Sequence, residues 1–168
     1  MPEDALSERQ ADFREAMARL SAAVHIITTD GPAGRAGITA SAVASVTDDP
    51  PTLLICLNRR SRVNPIFKAN AVVAVSTLRA GQEELSATFA GARGVPMAER
   101  FPDERWTRLA TGSPVLRDGL VAFDGRIVAV QEVGTHSVFF VEVLETAIGE
   151  PGPALVYYRR SYSAVHHG

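Results

Sequence analysis

The residues best suited to chemistry in this sequence are hydroxyl, amide and guanidinium groups gathered in two short segments. The first segment, TASAVASV at 39–46, alternates small and hydroxylic residues within a β-rich stretch. Small side chains let a flat ligand approach the backbone, where hydroxyls and N–H groups can bond to ring carbonyls. A strand packed against a close neighbour would need the same small residues, so the pattern leaves both interpretations open.

The second segment, CLNRRSR at 56–62, places polar and cationic groups directly after an apolar run. Phosphate groups are bound by backbone N–H donors and by arginine side chains, which donate two parallel hydrogen bonds. An ordinary polar surface turn has the same composition, so a phosphate site and a simple turn are both compatible with it. Cys56, the single cysteine, is better explained as a small buried residue than as a nucleophile.

A histidine stands where a turn leads into a strand. His136 follows Gly134 and Thr135 and precedes the apolar run SVFFVEV. A histidine at a strand start can contact a ligand, although an exposed or structural histidine is the simpler interpretation. No pair of carboxylates and no Ser/His/Asp set is evident. The absence of such catalytic groups fits hydride transfer, in which cofactors carry the chemistry and the protein orients them.

Several common motifs are excluded. Glycines 31, 34 and 37 have the spacing G-x-x-G-x-x-G and no helix is predicted after them, which argues against a dinucleotide loop of the Rossmann type. The sequence contains no Walker loop, nucleophile elbow or zinc-protease motif. The histidines near the C-terminal end lack nearby ligand partners, so we predict no metal site.

Composition predicts a globular protein with one domain over residues 1–168, since 46% of the residues are hydrophobic and 21% are charged. The net charge of -2, without a basic block, argues against nucleic acid as a partner. The N-terminal segment MPEDALSERQ is too polar for a signal peptide, and no apolar run approaches the ~20 residues that span a bilayer. We therefore expect a cytoplasmic protein without a membrane partner.

The elements that must position these residues are mostly strands. A helix is predicted from Ser7, where Gln10 completes a capping box and apolar residues at 13, 16, 17 and 20 form one stripe. Further helices are predicted after Asn64, as the cap before Pro65, and over 82–90. The strands are predicted at 24–29, 36–46, 52–57, 71–77, 120–130, 137–147 and 155–158.

The region 91–114 is rich in glycine and proline, and we predict an irregular excursion that packs on the barrel. Because helices and strands do not alternate strictly along the chain, a doubly wound parallel sheet is disfavoured. A mainly β fold, with antiparallel strands in a Greek-key-like barrel and a few flanking helices, fits better.

Taken in order, several segments resemble the flavin reductase family of split-barrel FMN proteins over nearly the whole chain. That family includes reductase components of two-component monooxygenases, and one branch takes part in pyrimidine degradation. The resemblance depends on the shared order and spacing of the segments. They are IITTDGPAGRAG at 26–37, TASAV at 39–43, SVTD at 45–48, PPTLL at 50–54, CLNR at 56–59, AGQE at 80–83 and VGTH at 133–136.

The resemblance implies a reaction: NAD(P)H reduces FMN, and the reduced flavin goes to a partner monooxygenase. NADH or NADPH is the implied donor, and FMN or FAD is the implied acceptor. A homodimer is implied, with the flavin near its interface. Two alternatives share the fold: a reductase that keeps its FMN and reduces another bound substrate, such as a corrinoid or metal chelate, and a non-enzymatic flavin-binding module.

The resemblance also implies roles for particular residues. The flavin ring would be lined by Thr39, Ala40, Ser41, Ala42, Ser45 and Val46. The ribityl chain and phosphate would be held by Cys56, Leu57, Asn58 and Ser61, with Phe89 and Arg93 closing the phosphate end. The nicotinamide would lie beside His136, the one catalytic candidate, with Arg14 and Tyr162 on the same side.

The chain departs from the family pattern in three places. Thr135 stands where many members have aspartate, although the branch of pyrimidine degradation shares the threonine. Gly125 stands where a cysteine is expected in the segment FDGR. The loop at 91–97, GARGVPM, is longer than its family counterpart. None of these changes removes the residues implied to line the flavin ring.

Overall fold

The structure, a computed structural model, describes residues 6–168. The polar N-terminal segment that we expect not to be a signal peptide begins in residues 1–5, outside this range. Within residues 6–168, no helix is both long enough and apolar enough to cross a membrane.

Three α-helices accompany the strands: α1 Glu8–Ala18, α2 Asn64–Asn70 and α3 Glu83–Phe89. The predicted cap of α1 is confirmed, because the Ser7 hydroxyl accepts the Gln10 backbone N–H and the Gln10 side chain accepts the Ser7 N–H. The apolar stripe predicted on α1 is not buried in this chain. Its largest members remain exposed: Phe13 66%, Met17 48% and Leu20 60%.

Asn64 is not the cap of α2, as the sequence suggested. Val63 occupies the cap position, and Asn64 is the first helical residue with Pro65 behind it. The Asn64 side chain is instead buried and donates to the Ser137 hydroxyl at 3.1 Å and to the Asn58 carbonyl at 3.3 Å. Buried acceptors at the strand ends need a donor, and this amide supplies it.

Strands make up most of the rest of the described chain. The prediction at 36–46 is wrong in one respect, since the chain turns at Ser41 and Ala42 and forms two strands in place of one. The twelve strands are β1 Ala22–Ala23, β2 His25–Thr29, β3 Ala36–Ala40, β4 Val43–Asp48, β5 Pro51–Asn58, β6 Val72–Thr77, β7 Trp106–Arg108, β8 Pro114–Leu116, β9 Val121–Val133, β10 His136–Ile148, β11 Ala154–Tyr158 and β12 Ser161–Val165.

Seven strands form one antiparallel sheet in the order β3-β2-β6-β9-β10-β5-β4. Two smaller antiparallel sheets are formed by β1-β11-β12 and by β7-β8. A mainly β, antiparallel fold with flanking helices is therefore confirmed. The large sheet is open, because β3 and β4 are its two edges and no pairing joins them in residues 6–168. Closure into a barrel is not shown.

The core of residues 6–168 contains three apolar clusters, of which two are large. One lies between α2 and strands β2, β5, β6 and β10, and includes Ile55, Phe67 and Phe139. In the other, Phe101 and Trp106 pack edge-on against the Phe89 ring, with centroids 5.2 Å and 5.5 Å away. The excursion at 91–114 therefore packs on the sheet as predicted, although it also contains the short 3₁₀ helix Met97–Glu99 and strands β7 and β8.

The aromatic cluster explains one of the three regularly spaced glycines. A Cβ atom at Gly37 would lie 2.7 Å from the Phe89 ring, so only glycine fits in this part of β3. Gly37 thus serves packing, and β3 is followed by another strand with no helix between them. The interpretation that these glycines are not a dinucleotide loop is consistent with this geometry.

A buried histidine makes stability depend on pH. Burial lowers the pKa of His25 to about 4, and its Nδ1 lies 2.9 Å from the Thr77 hydroxyl. Unfolded chains protonate histidine near pH 6.5, so the stability that depends on neutral His25 is complete above about 6.5 and is lost as the pH falls toward 4. We predict that the loss reaches about 3 kcal/mol.

Denaturant unfolding at several pH values between 7 and 4 checks this, with His25→Gln as the comparison. The glutamine keeps a hydrogen-bonding group beside Thr77 but does not titrate. The free energy of unfolding of the variant is expected to fall less steeply with acid than that of the parent. Parallel pH profiles for the two proteins would contradict the assignment.

Candidate flavin-binding site

The pairing of β5 with β10 brings two predicted site segments together. Asn58, at the end of β5, lies directly opposite His136, at the start of β10. The turn after β5 and the turn before β10 therefore lie side by side at one end of the sheet. Arg59 joins them, since its backbone N–H donates to the Thr135 carbonyl at 2.9 Å and its guanidinium donates to the Gly134 carbonyl at 3.2 Å.

The turn at 58–62, which we call the phosphate turn for its predicted role, is organised by Asn58. Its side-chain oxygen accepts the Arg60 backbone N–H at 2.8 Å, and its backbone carbonyl accepts the Ser61 N–H at 3.1 Å. Asparagine favours such turns because its side chain can replace a backbone acceptor. Asn58 thus shapes the turn through its own side chain.

The His136 ring is oriented by its neighbour in sequence. Its Nδ1 lies 2.8 Å from the Thr135 hydroxyl. Threonine here, where many family members have aspartate, therefore still provides a side-chain oxygen to the imidazole. The ring is exposed at the strand start, where a ligand can reach it.

The small-residue segment meets β5 at its corner. The Cys56 backbone N–H donates to the Ala42 carbonyl at 3.0 Å, which fixes the turn between β3 and β4 against β5. Thr39 and Tyr162 are both linked to α3: the Thr39 hydroxyl donates to the Ser86 carbonyl at 2.6 Å, and the Tyr162 hydroxyl lies 2.8 Å from the Ser86 hydroxyl. The structure therefore brings Tyr162 to the segment predicted to line the flavin ring.

A cavity of about 230 Å³ opens beside this segment. Its walls include Thr39, Ala40 and Ser41 from β3 and the corner after it, and Tyr157 and Tyr162 from β11 and β12. Cofactor pockets usually hold roughly 300–1,000 Å³, so this cleft is smaller than the space a complete flavin needs. A flavin bound here must extend beyond it, toward the Ala42–Cys56 contact and the phosphate turn.

Most of the predicted residues do not line this cleft, among them Ser45, Val46, Arg14 and Arg93. Ser45 lies farther along β4, beside a separate cavity of about 310 Å³ that is lined mainly by apolar residues. Val46 is 46% exposed on the edge strand. Arg14 is exposed on α1 and lines neither of these two cavities. Arg93 forms an ion pair with Glu84 of α3.

Two predicted ligand contacts are not compatible with the packing. The Leu57 side chain is 3% exposed and points into the core with Ile55. The Phe89 ring is 2% exposed and is enclosed by Phe101 and Trp106. Neither side chain is open to a ligand in this structure. The sequence pattern did not reveal which side of each element faces the core.

Along β5, Cys56 lies between the buried residues Ile55 and Leu57. Its side chain, like that of Asn58, therefore lies on the other side of the strand. Burial raises the pKa of its thiol. A thiol with a raised pKa stays protonated at neutral pH and is a poor nucleophile. This agrees with the interpretation of Cys56 as a small residue next to the site.

Sequence reasoning missed a carboxylate that connects the two turns. Glu132, the penultimate residue of β9, forms ion pairs with Arg59, at 3.0 Å, and with Lys68 of α2. It also accepts a hydrogen bond from the buried Ser137 hydroxyl at 2.9 Å. These bonds lower the pKa of Glu132 and keep its carboxylate charged, and the hydrogen bond with Lys68 has the largest effect. The signal that could have revealed Glu132 is its position opposite Ser137 in the hairpin of β9 and β10.

Histidines 166 and 167 border a shallow cavity formed with Pro151, Gly152 and Pro153. Within residues 6–168, no three His, Cys, Asp or Glu side chains are grouped as ligands for a metal ion. The chemistry available at the site therefore comes from hydroxyls, amides, guanidinium groups and His136.

Comparisons with known proteins agree on one family. The family model "Flavin reductase like domain" matches residues 17–166. The FMN reductase (NADH) RutF of Variovorax paradoxus is 56% identical over 156 residues, which cover 93% of this chain and 86% of that protein. The reductase component of 4-hydroxyphenylacetate 3-monooxygenase from Pseudomonas aeruginosa is 51% identical, covering 94% of this chain and 92% of that protein.

A solved structure gives the same result for the fold. BorF, the flavin reductase component of a bacterial two-component tryptophan halogenase, superposes with a TM-score of 0.88 at 25% identity, covering 94% of this chain and 99% of that one. Sequence and structure thus lead to the same assignment. The chain belongs to the family of flavin reductase-like domain proteins.

Proposed function

We propose that this protein uses NADH to reduce FMN and releases the reduced FMN to a separate monooxygenase. The observation that carries the proposal is the register of β5 and β10, which sets the phosphate turn beside His136 and next to the Ala42 corner. The names of the relatives support it, since one is an NADH-dependent FMN reductase and another is a monooxygenase reductase component. We also propose that the monooxygenase that receives the reduced FMN acts in pyrimidine degradation.

The residues present fit FMN. Its ring would lie along the segment 39–42, where small side chains leave the backbone accessible, and its phosphate would lie at the phosphate turn. The Ser61 side chain and the Asn58-ordered backbone of that turn are placed to hold the phosphate. When bound, FMN supplies the acceptor for a hydride from the dihydronicotinamide.

The chain's own contribution is positioning. His136 is the group we propose to contact the nicotinamide, with Arg14 and Tyr162 as further candidates on the same side. No side chain in residues 39–42, 56–62 or 136 needs to transfer a proton, so the rate should depend on how the two rings are aligned. FAD and NADPH are alternatives for the acceptor and donor.

The experiment that tests the function follows NADH oxidation by the purified protein with and without added FMN. We expect oxidation to continue over many turnovers only while free FMN is supplied, with oxygen reoxidising the product. NADH oxidation that continues without added FMN, on flavin that stays with the protein, would favour the reductase that keeps its flavin. Flavin binding without NADH oxidation would favour the non-enzymatic module.

We further propose that residues 1–168 act as one domain, located in the cytoplasm, and that two chains form a split-barrel homodimer. A flavin that extends beyond the cleft at 39–41 would be partly exposed on one chain, and a second chain packed there would enclose it. The exposed apolar side chains of α1 and of β9 offer surface for that contact. They include Phe13, Met17, Leu20, Val128, Val130 and Val133.

We predict that light scattering at micromolar concentration gives a particle of about twice the 18.0 kDa of one chain. Replacing Phe13 on α1 with serine should shift the equilibrium toward single chains, because it removes apolar contact area. A particle of the mass of one chain in the unsubstituted protein would contradict the dimer.

We predict that Asn58→Ala weakens FMN binding by about 1.5–3 kcal/mol, roughly ten-fold to a hundred-fold. The reason is that the substitution removes the acceptor for the Arg60 N–H and loosens the turn that would hold the phosphate. Riboflavin, which has no phosphate, is the matched ligand and should lose little affinity. Equal losses for both flavins, measured by fluorescence quenching, would show that this turn does not bind the phosphate.

We predict that His136→Ala raises the KM for NADH and slows flavin reduction while FMN affinity stays nearly unchanged. The imidazole, oriented by Thr135, is proposed to contact only the nicotinamide side. His166→Ala is the control, since it removes an exposed histidine near the chain end. Stopped-flow reduction and FMN titration separate the two effects. Loss of FMN binding, or unchanged NADH kinetics, would remove His136 from this role.

A further inference from the structure

We propose that Glu132 is a positioning residue that holds the phosphate turn in its binding shape, a role that rests on the proposed function. Its carboxylate lies where three elements meet: the phosphate turn, the start of β10 and helix α2. A negative charge near a phosphate site would ordinarily be unfavourable, because like charges repel. A structural role for the Glu132 carboxylate would offset that repulsion.

Glu132 uses both carboxylate oxygens within the fold. One oxygen accepts from the Arg59 Nε at 3.0 Å, and the other is paired with Lys68. The Ser137 hydroxyl donates to both oxygens, at 2.9 Å and 3.1 Å, and accepts a bond from the Asn64 amide at 3.1 Å. Ser137 and Asn64 are buried, so this chain of bonds is anchored in the core.

The network determines what Arg59 can do. Its Nε is held by Glu132, another guanidinium nitrogen by the Gly134 carbonyl, and its backbone N–H by the Thr135 carbonyl. Arg59 therefore links the phosphate turn to the turn before His136. Arg60 and Arg62 form no ion pair within residues 6–168, which leaves them as the cations available to a phosphate.

Two accounts of Glu132 differ in the sign of the effect they predict. If Glu132 acts only through its charge, Glu132→Gln removes a repulsion and FMN binds more tightly. If Glu132 holds Arg59 and thus the turn, the same substitution releases both and FMN binds more weakly. Contacts of this kind couple neighbouring residues, so a loss of about ten-fold in FMN affinity is expected.

The experiment measures Kd for FMN and riboflavin by quenching of flavin fluorescence in the full chain. We expect Glu132→Gln to weaken FMN about ten-fold and riboflavin less than about two-fold. Glu132→Asp, which keeps the charge on a shorter side chain, should restore part of the loss. Glu142→Gln is the control, because Glu142 pairs with Arg126 on the same two strands and outside both turns.

A double-variant cycle adds a second readout. Arg59→Met and Glu132→Gln should each weaken FMN, and the double variant should be no worse than either alone. Losses that add would mean that Arg59 binds the phosphate independently, and unchanged or tighter FMN binding by Glu132→Gln would overturn the proposal. If Glu132→Gln does not fold, the cycle is run with Glu132→Asp, which must weaken FMN more than riboflavin and must not add to the loss caused by Arg59→Met. An unsubstituted protein that binds no FMN would instead refute the proposed function.

Discussion

The register between β5 and β10 is the constraint on which the site depends. Leu53, Ile55 and Leu57 of β5 fill the core, so the alternate residues of that strand must lie on its other side. A shift of one residue would expose these three side chains and bury Cys56 and Asn58, at a cost of several kcal/mol of hydrophobic burial. Core packing thus holds Asn58 opposite His136.

The second requirement is that the turns keep their shape once they are adjacent. Hydrogen bonds from Arg59 to Gly134 and Thr135 connect them, and the Glu132 carboxylate connects Arg59 to the buried Ser137. Exposed ion pairs contribute little by themselves. Here the pair is extended into the core by hydroxyl and amide groups, so it acts as one end of an anchored network. Binding of FMN would then meet a turn that is already organised.

Much of the fold could be predicted from local sequence. The cap at Ser7, the β-branched run of β2 and the short apolar strand at 52–57 each have a local physical cause, and the structure confirms them. The corner at Ser41 and Ala42 was missed because small residues suit a continuous strand and a turn equally well. A barrel was predicted, but the large sheet is open, since closure depends on long-range pairing that no short segment encodes.

The site was predictable in part. The resemblance placed residues 39–42, 56–58 and 136 in one site, and the strand register brings them together. It could not show that the side chains of Leu57 and Phe89 are buried, because a role inferred along the chain does not specify which way a side chain faces. Glu132 was missed because its partners come from the phosphate turn, α2 and β10, which meet only in the folded chain.

The central claim is that FMN lies between the corner at 41–42 and the two turns that Arg59 connects. Hydrogen–deuterium exchange with and without FMN tests it most directly, since bound ligand protects the backbone amides it contacts or orders. The account predicts slower exchange at 39–42 and 58–62, with riboflavin protecting the first segment and not the second. Protection confined to other parts of the chain, or no difference between the two flavins at 58–62, would contradict it.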